Sequence, residues 1–128
     1  MAKRTSISPS FRDRILLRCY IALDALNRGQ ASRDVYALLG QFLLMGEALT
    51  AMGYSSEAKP HFLAARSSLY QVHERAAGGV WVLLEPEYLV VSESIAWFAA
   101  QLDSVSYEHL LEAEVEMRAY LAAPVKVT

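Results

Sequence analysis

The 128-residue chain predicts an all-α fold, either a five-helix antiparallel bundle or a stack of helical hairpins. Three observations carry that expectation. Apolar residues recur at three- and four-residue steps through five long segments. Ser, Gly and Pro punctuate the joints between those segments. Alternating apolar and polar runs bounded by turn residues, the signature of strands, are almost absent.

Residues 1–9 are polar and aperiodic, and predict a flexible basic arm carrying Lys3 and Arg4. Ser8 or Ser10 suits an N-cap, where a side-chain oxygen accepts from one of the unpaired N–H groups of a first helical turn. Phe11, Ile15, Cys19, Ala22, Leu23 and Leu26 then line one side of a first helix, which Asn27-Arg28-Gly29 stops. A second helix is expected from about Ser32 to Met52, with Val35, Leu38, Leu39, Phe42, Met45 and Leu49 on one side. Gly53 ends it, because glycine tolerates the left-handed conformation that terminates helices. Ser55 or Ser56 opens a third helix through Phe62, Ala65, Leu69 and Val72, with Pro60 in the opening turn where a missing N–H does little harm.

Gly78-Gly79 is the clearest break. Val80 to Leu84 is apolar without a decisive period, which fits a short extended segment or a ragged helix start. Pro86 suits a first helical position, and Tyr88, Val91, Ile95, Phe98 and Leu102 follow as a fourth helix. Asp103 to Ser106 is a turn, and Ser106 with Glu108 opens a fifth helix through Leu110, Leu111, Val115 and Tyr120. Residues 10–122 therefore read as a single helical domain, followed by a tail at 123–128. Short connections between long helices favour an antiparallel bundle or stacked hairpins.

With 54% hydrophobic and 20% charged residues, the chain can bury a continuous core without metal or disulfide. The single Cys19 has no partner for an internal bridge and lies in an apolar run, so it reads as a buried thiol in a reducing cytoplasm. The longest apolar stretches are broken by Arg18 and Asp24, or by Glu85, Glu87 and Glu93, short of the ~18 uncharged residues of a membrane span. The expected location is cytoplasmic, with no membrane contact.

Charge is strongly polarised along the chain. Residues 1–34 hold seven basic side chains against three Asp, a surplus of four, and residues 85–128 hold eight acidic groups against Arg118 and Lys126, a deficit of six. Either the basic first helix packs beside the acidic last one within the monomer, or the two ends serve charged partners or a head-to-tail contact.

In the second and third helices, Phe42, Met45-Gly46, Leu49, Gly53, Ala58, Phe62 and Ala65 fall at the spacings of a helical repeat. Residues 39–72 thereby resemble a single tetratricopeptide hairpin, in which small residues let two helices approach while large aromatics fill the space beside them. The pattern departs where Phe42 replaces Trp and Tyr70 replaces the closing Pro. It fails one repeat earlier, at Asp24 and Arg28, and one repeat later, at Val80. Repeat arrays need about three units, so the resemblance implies one hairpin and no array.

Motifs for chemistry are weaker. No Gly-rich phosphate loop, nucleophile elbow or paired-Cys motif is present in the sequence. His61, His73 and His109 fall on separate elements. His109, Glu112 and Glu116 project from one side of the last helix, a geometry that suits a cation but more often forms a solvated acidic face. The sequence calls for no enzyme activity, no metal and no cofactor.

What remains is a small regulatory or adaptor protein that binds another protein, with a homodimer as the expected assembly. Trp81 and Leu83, on the connector after two glycines, are candidate interface anchors. Phe42 and Phe62, beside the hairpin, are the second candidate pair. The rival function is a nucleic-acid-associated regulator that neutralises phosphates with Arg12, Arg14 and Arg18 of the first helix. A sequence pI near 5.9 weighs against that rival.

Overall fold

Serine caps and glycine stops set most of the helix boundaries. In the computed structural model, which describes residues 6–123, the Ser8 hydroxyl accepts from Phe11 N at 3.1 Å and opens α1 (Pro9–Asn27). The Ser32 hydroxyl accepts from Val35 N at 3.2 Å and opens α2 (Arg33–Ala51). Gly29 and Gly53 follow these helices with φ of 69° and 99°, the left-handed conformation that releases the chain from a helix. Lys3, Arg4 and the expected tail from residue 124 lie outside the described residues.

The third helix starts differently from the expectation. Ser55 adopts φ 49°, whereas an N-cap needs extended backbone, and neither Ser55 nor Ser56 caps through its side chain. Residues Ser56–Ala58 instead form one 3-10 turn leading into α3 (Lys59–Arg75), with Pro60 in its first turn.

The stretch between Gly79 and α4 (Glu85–Ser104) is extended, and it is pinned rather than loose. Trp81 makes an isolated bridge with Ala31, and Leu83 N donates to Leu26 O at 2.9 Å. Arg75 donates to Val82 O at 3.1 Å and clamps Glu87, whose carboxylate also accepts from Leu84 N at 2.9 Å. The Arg75 hydrogen bonds hold the Glu87 carboxyl below its ordinary range. Val105-Ser106 then turns the chain, and the Ser106 hydroxyl accepts from His109 N at 3.1 Å to open α5 (Tyr107–Ala122).

The architecture is an all-α bundle. Helices α1 to α4 pack in a ring, and α5 lies against α2, which touches all four other helices. Leu26, Leu39, Leu49, Phe62, Ile95 and Phe98 are fully buried and form the centre of one continuous core. Polar side chains are buried with them, Ser94 and Gln101 fully. The Gln101 amide nitrogen of α4 lies within 3.0–3.1 Å of Thr50 Oγ1, Gly46 O and Tyr54 O, tying α4 to the end of α2.

Ser6 bridges to Ser106, Arg12 lies 2.6 Å from Asp103, and the Phe11 ring meets Tyr107 edge-on at 6.3 Å. Helices α1 and α5 therefore begin at the same end of the bundle, on either side of α2. Among the described residues no helix is long and apolar enough to cross a membrane.

Candidate functional site

The α2–α3 hairpin carries two opposite faces. Its inner face is closed by Gly46, whose missing side chain leaves room for the Phe62 ring; a Cβ there would sit inside that ring's contact surface. Ala58 and Ala65 are likewise fully buried, so the two helices approach closely.

The outer face is open. A groove of about 580 Å³ runs along it, lined by Ala37, Gly40 and Leu44 of α2 and by Leu63, Ser67 and Tyr70 of α3. Tyr120 and Leu121 of α5 close one side. From Ala37 to Leu44 and on to Glu47, α2 presents about three turns, roughly 15 Å at 1.5 Å per residue. Leu63 and Tyr70 stand 43% and 58% exposed, and Leu121 53%, so this apolar surface is in contact with water.

Three polar side chains at the groove, Tyr36, Glu47 and Arg66, are already engaged. The Tyr36 hydroxyl donates to Leu69 O at 2.8 Å. Arg66 grips Glu47 with two hydrogen bonds, one of them Nε to Oε2 at 3.1 Å, and its guanidinium lies 5.3 Å over the Tyr120 ring. This planar, bidentate arrangement fixes the long Arg side chain as part of the groove wall.

Gly40 distinguishes the groove from an ordinary helix surface. It lies mid-helix, and a Cβ built there would meet nothing within 4 Å. Glycine in a helix interior costs about 1 kcal/mol relative to alanine. Gly46 offsets that cost by admitting Phe62, whereas none of the described residues does so for Gly40.

The residues expected to form surface contacts fall in different places. Phe62 is fully buried and Leu83 only 4% exposed, so both belong to the core: Phe62 occupies the space over Gly46, and the backbone tether to Leu26 draws Leu83 inward. Phe42 is half-buried, with its ring 6.2 Å from Phe98. Trp81 is half-buried in an aromatic cluster, 4.7 Å from Tyr36 and 5.9 Å from His73. The four are not brought together into one surface.

The basic cluster also divides. Arg12 is drawn to Asp103 and Asp13, while Arg14 and Arg18 line a second groove of about 510 Å³ between α1 and α5. On α5, His109 turns toward Tyr54, whose hydroxyl lies 2.6 Å from Nδ1, and so leaves the acidic face of Glu112 and Glu116. Among the described residues no group of three or more His, Cys, Asp or Glu side chains is placed to hold a metal ion. Cys19 is fully buried, and burial pushes its thiol up to about 12.

No protein-family model, no curated protein and no solved structure matches the chain. The expected resemblance of residues 39–72 to a tetratricopeptide hairpin is supported by none of these comparisons.

Proposed function

We propose that this chain is a small non-enzymatic adaptor or regulatory protein that acts by holding a helix of a protein partner in the α2–α3 groove. The observation that carries this reading is Gly40. A glycine whose Cβ would face open, apolar space has its use in close approach by something outside the chain, and an amphipathic helix with apolar residues one turn apart fits a groove of this length. The engaged Arg66–Glu47 pair and Tyr36 hydroxyl make the walls stiff, which lowers the ordering cost of binding. A buried, protonated Cys19 suits a reducing cytoplasm as the compartment.

Site-specific photo-crosslinking in cells tests the reading. A photoreactive residue at Ala37 or Ser67 should give one discrete protein adduct, one at Ala64 should give none, and Gly40→Leu should remove the adduct. Adducts that form equally from Ala64, or that survive Gly40→Leu, would remove the groove from consideration.

The nucleic-acid reading keeps two of its three arginines, Arg14 and Arg18, since Arg12 is held by Asp103. Two phosphate contacts supply little affinity at physiological salt.

A further inference from the structure

Two helices carry the same surface pattern with opposite charge. On α1, Arg14, Leu17, Arg18 and Ile21 follow one another at three- and four-residue steps; on α5, Glu108, Leu111, Glu112 and Val115 do the same. Both sets point away from the core, because the buried stripes are Leu16, Cys19 and Leu23 on α1 and Leu110, Ala113 and Met117 on α5. Leu17 and Ile21 are each 60% exposed, Leu111 45% and Val115 65%, values high for large aliphatic side chains placed in a row.

The charges beside these stripes are unspent. Arg28 pairs with Asp24 and Arg118 with Glu114 within their own helices, and Arg12 reaches Asp103, but Arg14, Arg18, Glu108 and Glu112 form no ion pair among the described residues. The charge polarity of the sequence is therefore not neutralised by α1 pairing with α5 inside one chain. We infer that the chain self-associates by laying the outer face of α1 on the outer face of α5 of a second copy.

Leu17 and Ile21 of one copy then meet Leu111 and Val115 of the other, flanked by Arg–Glu pairs as at the edges of a coiled-coil seam. In the inferred assembly a twofold axis running along the helices places each α1 on the other copy's α5. The contact is then made twice, and the assembly closes as a dimer rather than growing into a filament. The α2–α3 groove uses neither stripe, so this contact stands independently of the groove and leaves it open.

Sedimentation equilibrium over a wide protein concentration range, at low and high salt, reads the result. The wild-type chain should be a dimer that weakens with salt. The R14E/R18E variant and the E108K/E112K variant, each checked for an unchanged helical spectrum, should each dimerise roughly 10- to 100-fold more weakly. Mixed together they should associate again, because every α1–α5 contact then joins opposite charges, and the Gly40→Leu variant should dimerise like the wild type. A wild-type monomer at every concentration would overturn the inference. So would folded variants that dimerise as well as the wild type, or a mixture that stays monomeric. Monomeric wild-type chain that binds duplex DNA, and loses it in R14E/R18E, would overturn it in favour of nucleic acid.

Discussion

The Phe62 ring occupies the space where Gly46 would carry a side chain, whereas no other described element comes within 4 Å of where a Gly40 Cβ, on the same helix, would sit. The two glycines should therefore respond oppositely to the same substitution. Gly46→Ala forces Phe62 to move and should cost about 1–3 kcal/mol. Gly40→Ala should gain roughly 1 kcal/mol from helix propensity alone. Thermal unfolding of both variants should show the midpoint falling for the first and rising for the second.

Trp81 lies tilted against the Tyr36 ring and pairs with Ala31 but keeps part of its surface in water. Trp81→Ala should cost about 2 kcal/mol, below the ~3–5 kcal/mol of a fully buried aromatic. Denaturant unfolding at equilibrium measures this. A variant as stable as the wild type would mean that the connector is not held by this cluster.

Gln101 is fully buried, and its amide nitrogen faces three acceptors at the end of α2. Gln101→Met keeps the side-chain length but removes the donor, leaving Tyr54 O without this buried partner, at a cost of about 1–3 kcal/mol. Faster amide exchange over residues 50–54 should accompany the loss.

Burial raises the Cys19 thiol from its ordinary 9.0 to about 12. Its contribution to stability is fully present below pH 9, where both states hold the proton. Between about 9 and 12 the unfolded chain loses that proton first, so stability falls as pH rises through this window. Tyr36, also raised by burial, acts in the same direction. Cys19→Ala should flatten the alkaline slope of the thermal midpoint relative to the wild type, and the native thiol should resist aromatic disulfide reagents until the chain unfolds.

Helices were legible in the sequence because the apolar period is imprinted by the core itself: Leu16, Cys19 and Leu23, or Val91, Ile95 and Phe98, face inward at helical spacing. The start of α3 was less legible, since Ser55 reads as a cap but is used instead for a left-handed turn. Leu83 illustrates a different difficulty. On a connector after two glycines it looks available, yet its burial depends on a backbone bond to Leu26, far away in sequence. The groove left only a faint trace, because Leu63 and Tyr70 belong to a second stripe that no intramolecular packing enforces. Gly40 was a signal in plain view, a helix-weakening residue amid helix formers, but its openness emerges only when α2 and α3 are placed side by side.

The central claim is that the outer face of the α2–α3 hairpin binds a partner helix, and Gly40→Leu tests it most directly. A Cβ at this position meets no neighbouring element within 4 Å and opens onto the groove, so the fold should stand while a leucine fills the site. Measured by calorimetric titration against the partner identified by crosslinking, the variant should bind at least about tenfold more weakly than the wild type. Its thermal midpoint should be equal to or above that of the wild type. Undiminished affinity in a variant that is fully folded would contradict the account.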